Sequence, residues 1–243
     1  MTASDTGLLD FYEGTYLAQG FGAQRRYPNE ELCRFMGRRF FSVPSAQRKT
    51  IRVLDAGCGS GANLWMIARE GFDAVGIDLS PAAIELSREM LASYGTKAEL
   101  RAGDMTSLPF ADGSFDAVVD VFSSNCLDMA AGRRFLGDMT RVLKPGGRFF
   151  SYFPSKRSDT WTDATAVDGD PEALIDASTL NGVRRKSSPY FGNDYAFRFL
   201  HPREYTRLLQ GFGFKVVYCE TLRRTYEEGR EEFEFVVIEG IKS

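Results

Sequence analysis

The sequence is poor in the side chains that bind metal ions. Its 243 residues include one histidine, His201, and four cysteines, none of which form a Cys-x-x-Cys pair. Because a zinc site needs three or four ligands at short, defined spacings, the sequence predicts no metal site. The scattered cysteines are expected to be reduced thiols.

Long apolar runs and an excess of positive charge are also missing. No run approaches the roughly 20 apolar residues that cross a bilayer, and the N-terminus, Met1 to Asp5, has neither a basic start nor an apolar signal core. The formal net charge of −3 and the pI near 5.4 leave no surplus of cations to neutralise a nucleic-acid backbone. We therefore expect a cytoplasmic protein that binds neither membranes nor nucleic acid.

The most informative stretch that is present is a glycine-rich turn. Residues 51–54 form an apolar run typical of a buried strand, and residues 64–68 carry the apolar face of a helix. Three glycines lie between them at alternate positions: Gly57, Gly59 and Gly61. A strand-to-helix turn without Cβ atoms predicts either a tight structural bend or a place where a ligand lies against the backbone.

Two further strands are predicted to end on acids. Residues 72–78 form an apolar run that ends at Asp78, and residues 97–102 form a third strand that leads into Asp104. Ser80 and Pro81 suit the N-cap and first position of the helix between them. In an open sheet of parallel strands, ligands bind at the carboxyl ends, so the glycine turn and both acids should meet at one edge.

The rest of the chain continues the α/β pattern. Residues 114–122 and 148–153 predict a fourth and a fifth strand, and the continuous apolar core of the fourth indicates a sheet covered on both faces. Residues 215–221 and 232–239 predict an antiparallel hairpin that completes the sheet. Since no repeat or linker divides the chain, we predict a single α/β domain over residues 1–243.

Two segments are less regular. Residues 8–27 mix aromatic residues with glycines, which favours a mobile segment over a long helix, and Pro28 then opens a helical pattern. Residues 1–45 are therefore predicted to form an N-terminal helical lid or cap. Residues 154–199 lose periodicity and are rich in aromatic residues, so we predict that residues 154–201 form an insertion that covers the substrate.

The predicted edge suits an adenosine that bears an amino acid. Asp78 can accept hydrogen bonds from both ribose hydroxyls. Asp104 can accept from the amino group of an adenine whose ring lies between Leu79 and Met105. The spacing Gly-x-Gly-x-Gly differs from the Gly-x-Gly-x-x-Gly that binds a dinucleotide pyrophosphate. Asp55 would repel a phosphate but could indirectly hold an ammonium group.

At these residues the chain resembles the class I S-adenosylmethionine-dependent methyltransferases. Five ordered motifs within roughly residues 50–150 carry the resemblance: Val-Leu-Asp-Ala-Gly-Cys-Gly-Ser-Gly at 53–61, Val-Gly-Ile-Asp-Leu-Ser at 75–80, Gly-Asp-Met with Leu-Pro-Phe at 103–110, Phe-Asp-Ala-Val at 115–118 and Leu-Lys-Pro-Gly-Gly at 143–147. The resemblance implies a Rossmann-like seven-stranded sheet of order 3-2-1-4-5-7-6, with strand 7 antiparallel and helices on both faces. It also implies S-adenosyl-L-methionine as the cofactor and the branch of the family that acts on small molecules.

The resemblance assigns roles to the residues at this edge. Asp55 and the three glycines would hold the methionine part, Asp78 the ribose, and Asp104 with Met105 the adenine. Phe122 follows strand four, where the family places groups between cofactor and acceptor, although it is equally suited to filling the core.

The candidates for catalytic and substrate-binding roles come from other parts of the chain. His201 precedes Pro202 and is suited either to capping a helix or to acting as a general base, and our hypothesis is that it is not the essential base. Asn125 can orient a substrate because an amide both donates and accepts. Tyr12 and Arg26 are candidates to fold over the site, with Arg26 pairing the methionine carboxylate, but ordinary packing or surface roles fit both equally well.

The sequence therefore predicts a methyltransferase that acts on a small metabolite mainly by alignment and exclusion of water. Two alternatives keep the cofactor. One is an enzyme that attacks another carbon of S-adenosylmethionine and releases methylthioadenosine, and the other is a non-enzymatic regulatory protein that binds it. The acceptor atom and the oligomeric state are left open, and a nucleic-acid substrate conflicts with the acidic pI.

Overall fold

Ten strands form two sheets in the computed structural model, which describes residues 3–165 and 173–243. In chain order the strands are β1 (Arg52–Ala56), β2 (Asp73–Asp78), β3 (Glu99–Ala102), β4 (Phe115–Val121), β5 (Leu143–Pro154), β6 (Leu174–Asp176), β7 (Thr179–Asn181), β8 (Ala196–Arg198), β9 (Phe214–Tyr226) and β10 (Glu231–Lys242). The large sheet has seven strands in the order β3-β2-β1-β4-β5-β10-β9, and β6, β7 and β8 form a small sheet of their own.

The large sheet has the predicted topology. Strands β3, β2, β1, β4 and β5 are parallel, and β10 is antiparallel to both β5 and β9. Numbered along the sheet alone, this is the order 3-2-1-4-5-7-6, and the predicted Rossmann-like fold is confirmed. The last residue of β1, Ala56, lies opposite Ile77 of β2 and Asp120 of β4, so these three strands end at the same edge.

The described residues also form eight α-helices. They are α1 (Ala3–Gln19), α2 (Glu30–Phe40), α3 (Ser45–Arg48), α4 (Leu64–Arg69), α5 (Pro81–Ser93), α6 (Met129–Val142), α7 (Asp159–Ala164) and α8 (Pro202–Gly211). Alternate strand residues face opposite sides. Val53 packs with the apolar residues of α2 and α4, whereas Leu54 packs with those of α6 and α8. Helices on both faces explain why the central strands are apolar throughout.

The N-terminal segment differs from its prediction. Residues 3–19 form a continuous helix, whereas the glycine content of residues 8–27 favoured a mobile segment. A Cβ added at Gly7 or Gly14 would meet nothing within 4 Å, so neither glycine is required by packing. Tyr12 and Tyr16, one turn apart, instead pack toward the core, and Tyr16 is 3% exposed. Tertiary packing thus overrides the low helix propensity of glycine, about 1 kcal/mol per residue relative to alanine.

The segment after β5 also contains regular structure that the sequence did not predict. Helix α7 and the small sheet lie within residues 154–201, although residues 166–172 of this predicted insertion lie outside the described residues. Each strand of the small sheet has three residues. Such short strands carry too few residues to show a periodic pattern, and the buried Phe197 and Phe199 hold this segment against Phe233 of β10.

Two absences apply to the described ranges. None of the helices there is long and apolar enough to span a membrane. The same residues contain no group of three or more His, Cys, Asp or Glu side chains placed to hold a metal ion.

Candidate functional site

The glycine turn follows β1 and is held in a backbone conformation that favours glycine. Gly57 has φ +73° and Gly59 has φ +53°. A Cβ at Gly57 would lie 2.5 Å from Ser123 Oγ, and one at Gly59 would lie 3.0 Å from Tyr16 Oη and closer still to Gln24 Oε1. Both glycines are therefore required by close approach as well as by backbone conformation.

Gly61, the third predicted glycine, has a different environment. Its φ is +86°, and an added Cβ would lie 2.6 Å from Ser87 Oγ on α5. This glycine lets the turn pack closely against a neighbouring helix. Its geometry fits a structural role beside the site.

Asp55 is the most unusual side chain at this edge. It is fully buried in β1, and neither carboxylate oxygen has a hydrogen-bond partner among the described residues. Burial raises the pKa of this carboxyl to about 7, and the nearby Arg25 opposes the shift. A buried carboxylate without a donor costs free energy, so this side chain indicates that a cationic or donor group of a ligand belongs close by.

Asp78 lies where the sequence predicts, at the end of β2. Its Oδ2 accepts from the backbone N–H of Gly59 at 2.8 Å, and its Oδ1 accepts from that of Ser80 at 3.0 Å. Burial raises the pKa of Asp78, although these hydrogen bonds oppose the rise. The carboxylate therefore links β2 to the glycine turn and, as it also lines a cavity, retains lone pairs to accept from a ligand.

Two adjoining cavities open at this edge of the sheet. The first, about 80 Å³, is lined by Asp78, Leu79, Ser80 and Met105 together with residues of α1. The second, about 360 Å³, extends past the start of α4 to Arg25 and Asn193. Five residues line both cavities: Tyr12, Gln24, Gly57, Phe122 and Ser123. The two spaces therefore meet over the first glycine.

Asp104, which is predicted to bind the adenine, accepts hydrogen bonds from Thr106 in its own turn. Its Oδ1 accepts from Thr106 N at 2.7 Å and its Oδ2 from Thr106 Oγ1 at 2.8 Å. These bonds stabilise the turn that places Met105 in the first cavity. Each oxygen still has a lone pair, so adenine binding by Asp104 stays a prediction.

The turn after β4 brings several predicted residues together. Phe122 has φ +60°, and its ring stacks on Tyr190 at a centroid distance of 4.9 Å. The buried Asp120 anchors the turn by accepting from Ser124 N at 2.9 Å and Ser124 Oγ at 2.6 Å. Asn125 is fully buried, and both polar atoms of its side chain lack a partner among the described residues. Phe122 thus lines both cavities and packs against the aromatic core, in a backbone conformation that is uncommon for a residue other than glycine.

Tyr12 joins the N-terminal helix to the segment after β5. Its hydroxyl lies 2.8 Å from the hydroxyl of Tyr195 and 3.6 Å from Cys126 Sγ. Burial raises the pKa of both tyrosines well above the ordinary value. Both hydroxyls therefore carry their protons at neutral pH and act as hydrogen-bond partners.

Two predicted residues lie away from the cavities. His201 is the N-cap of α8: its Nδ1 accepts from Arg203 N at 3.2 Å, and Glu204 Oε2 accepts from His201 N at 3.0 Å. Arg26 places its guanidinium over the Phe21 ring at 5.3 Å. The cavity is lined instead by the preceding residue, Arg25, whose position the sequence could not distinguish from that of Arg26.

Three further cavity residues that the sequence did not predict individually come from the segments predicted to cover the site. Gln24, Asn193 and Tyr195 line the second cavity. The aromatic content of residues 154–199 pointed to Tyr195 only as one of several candidates. Gln24 carries no sequence signal, since its contact with Gly59 depends on how the chain returns after α1.

These residues fit the cofactor implied by the sequence. Asp55, which has no hydrogen-bond partner in the part of the chain that the structure describes, matches an ammonium group, and the glycines leave room for a ligand against the backbone. Asp78 with Leu79 and Met105 lines the adjoining cavity. Fold and site together define a Rossmann-like protein whose ligand edge suits an adenosine with an amino-acid chain.

Comparison with known proteins supports the predicted resemblance. Residues 53–147 match the methyltransferase domain family. The match covers the part of the chain that carries the five motifs, and it confirms the predicted resemblance and the predicted cofactor.

The similarity to known relatives and to solved structures covers different parts of the chain. A demethylmenaquinone methyltransferase from Tropheryma whipplei (strain Twist) is 42% identical over 97 residues, which cover 40% of this chain and 38% of that protein. A probable chloroplastic tocopherol O-methyltransferase from Oryza sativa subsp. japonica is 27% identical over 213 residues, which cover 86% of this chain and 53% of that protein. The crystal structure of a SAM-dependent methyltransferase from Methanosarcina mazei is 24% identical with a TM-score of 0.64, covering 79% of this chain and 92% of that one, and shows the shared fold. The chain thus spans 38% of the length of the first of these curated relatives and 53% of the length of the second.

Proposed function

We propose that this protein transfers a methyl group from S-adenosyl-L-methionine to a small, ring-bearing metabolite. The observation that carries the proposal is the pair of cavities that meet over Gly57. A methyl donor and its acceptor must lie in adjoining spaces that exclude water, and this arrangement provides them.

We assign the first cavity to the adenosine part of the cofactor. Asp78 would accept from the ribose hydroxyls, and Leu79 and Met105 would contact the adenine, with Asp104 beside them. The glycine turn would hold the methionine part, with Asp55 beneath it. The support for this assignment is the placement of the first three side chains along one cavity and the lack of any described partner for Asp55.

We assign the part of the second cavity nearest Tyr195 to the acceptor. Aromatic side chains from three segments line it: Phe11, Tyr12, Phe122 and Tyr195. Such rings favour a planar apolar body, and the hydroxyls of Tyr12 and Tyr195 offer hydrogen bonds to a polar substituent. The two relatives described above are named for methylation of demethylmenaquinone and tocopherol, both ring compounds, which supports a ring-bearing acceptor.

The residues of this chain act mainly by position. When bound, the cofactor would supply an electrophilic methyl group, and transfer would break the sulfur–carbon bond with its electron pair left on sulfur while the acceptor would lose its proton to solvent. Tyr12 and Tyr195 would orient the acceptor through neutral hydroxyls, and Phe122 would exclude water from the space between the cavities. Asn125 is buried directly after the turn that carries Phe122, and we propose that it positions this turn. His201 is assigned to capping α8.

The test is to identify the products made from the cofactor. The protein is incubated with S-adenosylmethionine and a fraction of small ring-bearing metabolites, and the mixture is analysed by mass spectrometry. We expect S-adenosylhomocysteine and a metabolite heavier by one methylene unit in equal amounts. Methylthioadenosine in place of S-adenosylhomocysteine would identify a non-methylating enzyme. Cofactor binding without any product from a broad metabolite set would favour a regulatory protein.

A further inference from the structure

Arg198 is a buried cation without an ion pair in the described part of the chain. It is the last residue of β8 and is 2% exposed. No carboxylate oxygen of residues 3–165 and 173–243 lies within the 4.0 Å ion-pair distance of its guanidinium, and its Nε has no hydrogen-bond partner there. Burial of an unpaired charge costs free energy, so the contacts that this side chain does make must offset that cost.

The guanidinium binds two backbone carbonyls at either end of one turn. Its Nη2 donates to Ser124 O at 3.0 Å, and its Nη1 donates to Asp128 O at 2.9 Å. It also lies over the ring of Phe153, at 5.2 Å from the centroid. Hydrogen bonds from a charged donor are stronger than those between neutral groups. Arg198 therefore joins both ends of residues 124–128, which follow β4 and lead into α6.

Helix α6 leaves space for this guanidinium at Gly132. A Cβ added at Gly132 would overlap Arg198 Nη1. This glycine is not among the residues with positive φ, so the backbone does not require it. Glycine also has a lower helix propensity than alanine. The position of the Arg198 side chain explains why α6 has a glycine there.

Ser124 is held from two sides. The guanidinium binds its carbonyl, whereas the buried Asp120 of β4 accepts from its N–H at 2.9 Å and from its Oγ at 2.6 Å. The two preceding residues, Phe122 and Ser123, line both cavities. Ser123 Oγ also donates to Gly57 O at 2.9 Å. The turn that the guanidinium holds is therefore the one that lies where the two cavities meet.

The other end of β8 leads to the proposed acceptor site. Tyr195 directly precedes β8 and lines the second cavity. The small sheet that contains β8 is also bound to the start of α6, because Asp176 Oδ2 accepts from Met129 N at 2.9 Å. Arg198 thus lies between a turn that lines both cavities and a tyrosine that lines the acceptor side.

We propose that Arg198 is a positioning residue that holds the turn after β4 against β8, and so aligns the acceptor with the methyl group of the cofactor. This inference rests on the assignment of the second cavity under the proposed function. Arg198 contributes to the lining of neither cavity, so it acts through Phe122 and Ser123 on one side and Tyr195 on the other. Its loss should slow methyl transfer while cofactor binding continues.

Displacing the guanidinium without removing its charge tests this role. Gly132→Ala places a Cβ where Nη1 lies, and Arg198→Met removes the charge. The assay uses S-adenosylmethionine with a deuterated methyl group and a serial dilution of the ring-bearing metabolite fraction, which separates the maximal rate from the apparent KM. Both variants should lower the maximal rate about 10- to 100-fold, because small misplacements of reacting groups are costly. The double variant should be no slower than Arg198→Met, since both changes remove one contact.

The apparent KM and the affinity for the cofactor separate positioning from binding. Both the apparent KM and the affinity for S-adenosylhomocysteine, measured by calorimetry, should change less than about threefold in Arg198→Met. Gly137→Ala is the control in the same helix, because its added Cβ would lie 3.7 Å from Phe212, an ordinary contact distance. It should keep the wild-type rate.

Hydrogen exchange provides a measurement that does not depend on methyl transfer. In the free protein, peptides that span residues 122–128 should exchange at least about tenfold faster in Arg198→Met and Gly132→Ala, because the turn loses hydrogen bonds to a charged group. Peptides that span the glycine turn at 57–61 should keep the wild-type exchange. If Arg198→Met does not fold, Gly132→Ala decides the outcome, since it keeps the cation.

Several results would overturn the proposal. They are a wild-type maximal rate in Gly132→Ala, additive losses in the double variant, a loss of affinity for S-adenosylhomocysteine as large as the loss of rate, or unchanged exchange of residues 122–128. Failure of the proposed function gives a different result. The wild-type protein would then form no methylated product from the fraction, and hydrogen exchange alone would decide whether Arg198 holds the turn.

Discussion

The strand ends that we assign to the cofactor and the segments that we propose cover them are stabilised in different ways. At the strand ends the backbone itself forms the site: Gly57 and Gly59 adopt positive φ, and Asp78 accepts from the backbone N–H of Gly59. The cover depends on contacts between distant side chains, such as the hydroxyls of Tyr12 and Tyr195. We therefore expect changes at the strand ends to abolish cofactor binding and changes in the cover to adjust it.

The largest effect is expected at the first glycine. In Gly57→Ala the new Cβ would lie 2.5 Å from Ser123 Oγ in a backbone conformation with φ +73°. The conformation costs about 1 kcal/mol and the overpacking about 1–3 kcal/mol, so the melting temperature should fall. The affinity for S-adenosylhomocysteine, measured by calorimetry, should fall at least about 100-fold because the ligand must lie against this turn.

A second glycine provides a matched control for backbone strain. Gly146 has φ +75°, but a Cβ added there meets nothing within 4 Å. Gly146→Ala should lower the free energy of unfolding by about 1 kcal/mol, because only the backbone conformation becomes less favourable, and it should leave the affinity for S-adenosylhomocysteine unchanged. If both variants lost the same affinity, close approach of the ligand to Gly57 would not be the reason.

Asp78→Asn is the next strongest test of the strand ends. The amide has only one accepting oxygen and no charge, so hydrogen bonds to the ribose are lost or weakened. We expect the affinity for S-adenosylhomocysteine to fall about 30-fold. Asp116→Asn is the control at the start of β4, where the carboxylate accepts from Arg52 N and Lys144 Nζ, each at 2.8 Å. It should lower the melting temperature without changing the affinity, and an equal loss in both variants would contradict the assignment of Asp78.

The same contrast explains what the sequence could predict. The strands themselves and the placement of Asp55 and Asp78 follow from local patterns, because a strand, a turn and a helix each specify their own backbone. The strand order was implied by the resemblance to the family. Helix α1 was mispredicted since its glycines lower local propensity, while the buried Tyr16 that stabilises it depends on tertiary packing. Arg25 and Arg26 look alike in sequence, and only the fold shows which of them reaches the cavity.

A pH series tests the buried charge of Asp55. Burial raises its pKa from 3.8 to about 7, so the folded protein holds a proton that the unfolded chain releases between these values. The contribution of this bound proton to the free energy of unfolding is fully present below about pH 4 and is lost as the pH rises through about 7. The affinity for the ligand depends on pH in the opposite direction, because an ammonium group interacts favourably with the ionised carboxylate. The affinity for S-adenosylmethionine should therefore increase about tenfold from pH 6 to pH 8.

Asp55→Asn isolates this carboxyl from other groups that titrate. Burial also raises the pKa of Asp78 and Asp120, which remain in the variant. Chemical denaturation and calorimetry at pH 6 and pH 8 should show a smaller pH dependence of stability and a nearly constant affinity. An unchanged pH dependence of the affinity in Asp55→Asn would assign it to one of the other carboxylates.

The smallest effect on cofactor affinity is expected from Tyr195→Phe, which removes one hydroxyl of the pair that joins α1 to the segment after β5. The lost hydrogen bond is worth about 1 kcal/mol, so α1 should open about fivefold more often. Hydrogen exchange of the α1 amides should accelerate by that factor, whereas the affinity for S-adenosylhomocysteine should change less than about threefold.

Tyr218→Phe is the matched control for this last change, because its hydroxyl donates to Glu220 Oε2 at 2.6 Å on β9, away from α1. It should alter neither measurement. If Tyr195→Phe weakened cofactor binding as much as Asp78→Asn does, the cover would be part of the cofactor site itself. The distinction between strand ends that bind the cofactor and segments that only cover the site would then be wrong. If only the exchange of α1 changed, the hydroxyl pair would be a contact that regulates access, and variation in these two segments could alter acceptor choice without loss of the cofactor.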